Sequence, residues 1–205
     1  GLSVQARTES AVGLETDHTD LHVVCKAPED AVGARDIDDD LALSTNNGHD
    51  THEYERHDVP SGTLRQVTVK SEPNTRSNPL TGGSFPVKKT VTVQVDGKNI
   101  GTSTSFEDTA FPHFRVDDQT KVVITSVYDY AYGDVAIDKN VAFDSNTGNM
   151  VPDHDGKQAH DYTFNLVCTT PLGASSTHTV TAHHGQRGVV TRVPVGSVCS
   201  AAEKP

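Results

Sequence analysis

The chain has no tryptophan, a single methionine, and only six phenylalanines and five tyrosines among 205 residues. So few aromatics argue against a stacking platform for haem or a glycan. No stretch of about 18 apolar residues occurs, so no segment reads as a membrane-spanning helix, and no amphipathic helical run of useful length is present. Positive charge is also scarce. Seventeen Lys and Arg face 28 Asp and Glu, a net charge of −11, which repels phosphate and disfavours both nucleic acid and anionic lipid as partners. Catalytic signatures are missing as well: there is no G-x-S-x-G elbow, no H-E-x-x-H pair and no EF-hand spacing. The expectation is a protein that is not an enzyme. No signal peptide opens the sequence at Gly1, so a secretion signal or anchor would lie outside this stretch.

Val and Thr are abundant instead. Branching at Cβ stiffens their side chains and favours strands, and turn residues recur every few positions. The class expected is all-β, built as β-sandwich. The strand candidates include residues 85–95, followed by the hairpin signal Asp96-Gly97, and residues 121–130. A module boundary is expected near Tyr132-Gly133-Asp134, giving modules at 1–131 and 132–205.

Three cysteines are present. Cys168 and Cys199 each end an apolar strand-like run, and their spacing suits a bridge between two strands of one module. Such a loop gains roughly 3–4 kcal/mol in the chain-entropy model. The alternative is two buried thiols. No second cysteine stands at zinc-ligand spacing from either.

An internal repeat underlies this arrangement. Leu21-His22-Val23-Val24-Cys25-Lys26-Ala27-Pro28 parallels Phe164-Asn165-Leu166-Val167-Cys168-Thr169-Thr170-Pro171. Val59-Pro60-Ser61-Gly62-Thr63-Leu64-Arg65 parallels Val193-Pro194-Val195-Gly196-Ser197-Val198-Cys199. The alignment sets Arg65 where the second copy has Cys199, so Cys25 has lost its counterpart and reads as a small buried apolar residue. The second module has no equivalent of residues 66–131, and residues 76–120 match nothing.

The order of these motifs resembles that of Ig-like repeat domains in Gram-positive, especially actinobacterial, cell-wall-anchored surface proteins. The resemblance is good over 121–205 and weak over 1–75. It rests on a first strand at 135–141, a strand at 162–168 ending in Cys168, a Thr-rich strand at 177–181, and the Val-Pro-x-Gly-x-x-Cys segment ending in Cys199. It implies two tandem Ig-like sandwiches in a non-catalytic stalk or adhesin on a bacterial surface. The stretch would be a monomeric segment of a longer chain, with an extracellular surface ligand as partner. It also implies an intramolecular isopeptide bond, for which Lys139, Asn165 and Glu203 would be amine, acceptor and acid. Burial would raise the acid's pKa and lower that of the lysine.

Two further sets could bind ions. His49, His52 and His57 lie in a polar stretch with carboxylates and could capture a transition metal. Asp36, Asp38 and Asp40, and separately Asp144 and Asn146, alternate oxygen ligands in the manner that Ca2+ requires. Solvated loops are the simpler reading of each, so no cofactor is required. The competing function is an extracellular module that binds a metal ion, haem or glycan through such His- and Asp-rich loops. Ligand-binding loops are expected at 36–58 and 72–84, since function on a rigid sandwich concentrates in its loops.

Overall fold

The computed structural model describes residues 1–13, 18–26, 37–44, 51–56, 61–140 and 160–205, and the strands between 18 and 56 by backbone alone. Every regular element among these residues is a strand, as the Val/Thr composition requires. The chain divides into two compact units, one of Gly1–Arg76 with Val87–Tyr130 and one of Ser77–Pro86 with Ala131–Pro205.

The first unit is a sandwich. One sheet contains β1 (Leu2–Ser10), β4 (Thr51–Arg56), β6 (Thr75–Ser77), β7 (Ser84–Val95), β8 (Lys98–Ser103) and β11 (Thr120–Tyr130). Their order is β4-β1-β11-β7-β6, with β8 also on β7. The other contains β2 (His18–Lys26), β3 (Ile37–Ser44), β5 (Leu64–Val69), β9 (Thr109–Ala110) and β10 (Phe114–Arg115), ordered β10-β5-β2-β3 with β9 on β5.

Alternation along each strand builds the core between the sheets. Leu2, Val4 and Ala6 of β1 meet Val122 and Ile124 of β11 and Val91 and Val93 of β7. Val67 and Val69 of β5 and Phe111, Phe114 and Val116 close the opposite side. Each fully buried Val, Leu or Phe side chain contributes roughly 1.5–3 kcal/mol, so a core without tryptophan suffices. β1 and β11, the first and last strands of this unit, run parallel from Leu2 opposite Thr120 to Ser10 opposite Tyr128.

Among the described residues, five strands lie wholly in the second unit. β12 (Tyr132–Asp138) pairs with β15 (Arg187–Pro194). β13 (Tyr162–Thr169) lies between β14 (Ser175–Ala182) and β16 (Val198–Glu203). Leu166, Cys168, Val180, Val190 and Val193 form its core, with Val135, Ile137 and Cys199 packed against it. Close packing is visible at Gly188, where a Cβ would collide with a Val180 methyl carbon.

The pairing pattern of the first five strands repeats in the second unit. β1–β4, β2–β3 and β2–β5 are antiparallel, and so are β12–β15, β13–β14 and β13–β16. Residues 76–120, which match nothing in the internal repeat, supply β7 to β10, which join the two sheets of the first unit, while their Ser77–Pro86 part groups with the second unit.

Two expectations need correction. Residues 36–58 are not one long loop, because β3 and β4 lie within them. Asp38 and Asp40 are strand positions opposite Val24 and His22. The ladder with β2 outweighs the weak strand preference of aspartate, a preference that is always context-dependent. Residues 72–84 likewise include β6.

The Asp96-Gly97 signal does form the β7–β8 hairpin, with φ of 49° and 81° at its two central residues. Both lie in the left-handed region that a type I′ turn needs. The turn is tied back to β11, since the Asp96 carboxylate accepts the Lys121 N–H at 2.8 Å and the Asp96 N–H donates to the Lys121 carbonyl at 2.8 Å. Open space surrounds the Gly97 Cα, so Gly97→Ala should lose only conformational energy, about 1–2 kcal/mol. Urea unfolding of the variant measures that loss.

Candidate functional site

The chemistry-bearing residues fall into two clusters, one in each unit. In the second unit the Val-Pro-x-Gly-x-x-Cys segment forms the connection from β15 to β16. Gly196 takes φ of 94°, and the Ser197 N–H donates to the Pro194 carbonyl at 3.1 Å. This turn sets Cys199 directly opposite Cys168 across the β13–β16 ladder, where the two form a disulfide. Cys168 is 2% exposed, so the bridge is part of the core as well as a cross-link.

Lys139 follows β12 at the inward-facing parity of Val135 and Ile137. Its ammonium lies 4.3 Å from the Tyr162 ring centroid and 5.7 Å from that of Phe164, and 3.2 Å from a Glu203 carboxylate oxygen. Register explains the meeting, because Glu203 is the residue opposite Phe164. Asn165 is opposite Ala202 and Thr179. Alternation turns it to the face away from Phe164 and Glu203. Lys139 and Glu203 are therefore brought together, and Asn165 is not. Two aromatic faces and a carboxylate stabilise an ammonium, whereas attack on an amide needs a neutral amine.

The pair Asp138–Arg187, opposed on β12 and β15, is bidentate at 2.7 and 3.1 Å. Hydrogen bonding to Arg187 holds the Asp138 carboxyl below the usual aspartate range. Both groups are exposed, so screening leaves the pair a small contribution.

The cluster in the first unit was not anticipated from sequence. Lys89 has only 3% of its surface exposed. Its ammonium is 3.0 Å from Glu72 and 4.9 Å from the Phe106 ring centroid. The same Glu72 oxygen accepts the Tyr128 hydroxyl at 2.6 Å, and the Arg76 guanidinium lies 5.2 Å from the Tyr128 ring centroid. A signal was present in the alternation itself: Phe85, Val87, Val91 and Val93 take the inward positions of β7, and Lys89 occupies the fifth.

The ion-binding expectations fall mostly elsewhere. Asp36, His49, His57, Asp144 and Asn146 lie outside the described residues, and Asp38, Asp40 and His52 are placed by backbone on β3 and β4. Among the described residues no three of His, Cys, Asp and Glu gather to hold a metal. His183 instead lies 3.5 Å from Asp161, and His178 hydrogen-bonds with Ser176 on the same strand. Among the described residues no helix is long and apolar enough to cross a membrane.

Residues 135–205 match a family model described as a domain of unknown function, DUF5979. No curated protein sequence is a significant match. Among solved structures, the major pilin of Streptococcus pyogenes aligns with a TM-score of 0.35 and 15% identity over 100% of this chain and 82% of that one. The T-13 major pilin of the same organism aligns with a TM-score of 0.32 and 13% identity over 100% and 81%. The likeness is too distant to carry function across.

Removing one partner of a buried ion pair strands the other. Glu72→Gln should therefore destabilise the protein by roughly 2–3 kcal/mol, below the 3–5 of a fully enclosed pair because Glu72 still touches water. Lys89→Met should cost less, about 1 kcal/mol, because the carboxylate it strands is partly exposed and keeps the Tyr128 hydroxyl. Chemical denaturation of the two variants checks the order, and equal losses would contradict it. Replacing Cys168 and Cys199 together with serine should cost about 2–4 kcal/mol, read as a lower urea midpoint.

Proposed function

We propose that the protein is a non-catalytic extracellular spacer, a stalk segment of a bacterial surface protein that bears tension rather than turning over a substrate. The observation that carries this reading is the parallel pairing of β1 with β11. The first unit is entered at the start of β1 and left at the end of β11. Parallel neighbours place those two points at opposite ends of the ladder. Tension between them loads all the hydrogen bonds along nine opposed residue pairs at once, where an antiparallel arrangement would let them open one at a time.

The disulfide supports the same reading. Such bonds persist in oxidising compartments, and this one removes the 31-residue span from Cys168 to Cys199 from any extension. Only Ala131 separates β11 from β12, so tension on one unit passes directly into the backbone of the next. The sequence resemblance to surface-protein repeats points in the same direction. A role in attachment, through a ligand held on the loops, belongs to the same proposal. Binding of a metal ion, Ca2+ included, is the competing reading, and metal analysis of the purified protein separates the two.

Single-molecule stretching tests the proposal. Pulled through Gly1 and Tyr130, the first unit should resist markedly more force than when pulled through handles at Ser3 and Lys121. Those two residues are opposite each other, so that geometry opens the ladder pair by pair. Reduction should lengthen the extension of the second unit by about 100 Å, the reach of the freed span at 3.3–3.6 Å per residue. Equal forces in the two geometries would sink the spacer reading.

A further inference from the structure

The second unit is assembled from two separate stretches, Ala131–Pro205 and Ser77–Pro86. The chain leaves the first unit after Arg76, contributes Ser77–Pro86 to the second, and is back in the first at Val87. This short stretch is a strap held at both ends. It joins β6 to β7, which pair with each other, and the Val87 N–H donates to the Asn74 carbonyl at 2.9 Å at its base.

Two buried side chains seat the strap. Asn78 is 2% exposed and Phe85 is 1% exposed. The Asn78 side-chain oxygen accepts the Leu80 N–H at 3.1 Å, and its backbone N–H donates to the Gly83 carbonyl at 2.8 Å, so the residue first shapes the strap itself. Its side-chain nitrogen then donates to the Gly196 carbonyl at 2.9 Å. A Cβ on Gly196 would lie 2.7 Å from the Phe85 Cβ, 3.2 Å from the Asn78 Nδ2 and 3.3 Å from the Pro171 ring. The internal repeat supplies the comparison. Gly62 stands in the matching turn of the first unit at nearly the same φ, 86° against 94°, yet nothing lies within 4 Å of its Cβ position. Both turns need glycine for its backbone freedom. The turn at Gly196 needs it for room as well.

Gly196 and Pro171 flank one end of the β13–β16 ladder. The opposed pairs nearest that end are Thr169–Val198 and Cys168–Cys199. The strap therefore closes over the end of the ladder that carries the disulfide.

We propose that Ser77–Pro86 is a latch on the disulfide end of the second unit, held shut by the Asn78 amide and released when the first unit unfolds. The β6–β7 pairing holds Asn78 and Phe85 at a fixed spacing. Once that pairing is lost, docking on Gly196 must order a free chain segment, and the conformational entropy opposes it. Opening of the first unit thus exposes Cys168–Cys199. This inference does not rest on the spacer reading, because it concerns the order in which the units open and not the load they bear.

The test compares the unmodified full chain with Asn78→Ala and with Leu80→Ala, whose side chain is 42% exposed. The readout is the rate at which a phosphine reductant opens Cys168–Cys199 in native buffer, followed by alkylation and intact mass. Asn78→Ala should be reduced about tenfold faster, the size expected when a buried hydrogen bond loses its donor. Leu80→Ala should match the unmodified chain. In a Gly196→Ala background, where the added methyl already displaces the strap, Asn78→Ala should add less than about twofold, since coupled sites are not additive. Hydrogen exchange of the unmodified chain across a urea series is the second measurement. β13 and β16 should lose protection no later than β5 and β11. Three results overturn the proposal: an unchanged reduction rate in Asn78→Ala, a full additional effect in the Gly196→Ala background, or β13 and β16 protected at urea concentrations where β5 and β11 exchange freely. The last needs no substitution, so it decides the matter even where a variant fails to fold.

Discussion

Burial on one face only is the constraint on which the rest of this molecule depends. A strand shows its side chains alternately to core and solvent, so half of each strand can be Thr, Ser, Asp or Lys without cost to the interior. That is how a chain with 34% apolar residues and no tryptophan closes two cores. It also dictates what must happen when the rule is broken. Lys89 at an inward position of β7 is tolerated only because Glu72, Tyr128 and Phe106 converge on it. Lys139 at an inward position after β12 meets Glu203, Tyr162 and Phe164 in a similar way. Each unit thus enforces the same solution, a carboxylate plus aromatic faces, wherever an ammonium enters the sandwich.

The cross-strand position shared by Cys168–Cys199 and Cys25–Arg65 shows how one framework accommodates different chemistry. Backbone register sets Cys25 opposite Arg65 on β2 and β5, as it sets Cys168 opposite Cys199 on β13 and β16. Gly62 and Gly196, which precede these positions by three residues, take φ of 86° and 94°. The turn geometry is therefore retained while the covalent bond is not. Arg65 is fully buried, so the first unit replaces a compact cross-link by a large side chain. Among the described residues that unit also has the wider sheets, with six and five strands.

Local signals in the sequence carried much of this. The two-residue period located β7 and β11 closely, Asp96-Gly97 located a hairpin, and the repeated Val-Pro-x-Gly motif paired the right positions across the two units. The disulfide was legible because two apolar runs ended in cysteine. What escaped were features set by partners distant in the chain. Asp38 and Asp40 read as a loop because aspartate disfavours strands, and only β2 supplies the ladder that overrides this. Lys139 and Glu203 were readable as neighbours, but the face on which Asn165 lies depends on a register that no local pattern fixes. Lys89 stands in plain alternation with four apolar residues, but Glu72, Phe106 and Tyr128, the partners that let it face inward, are distant in the chain.

The extra strands of the first unit bear on both its mechanics and its completeness. Placing the last strand parallel to the first accomplishes two things at once. It covers the inward residues of β1, and it moves the exit of the chain to the end opposite its entry. An antiparallel partner on that edge would bury the same side chains but return the chain to the end where it began. Coverage of the core and the separation of entry from exit within the first unit are therefore one topological choice. β12 has the β4-equivalent neighbour that fixes its register and retains the partly buried Val135 and Ile137.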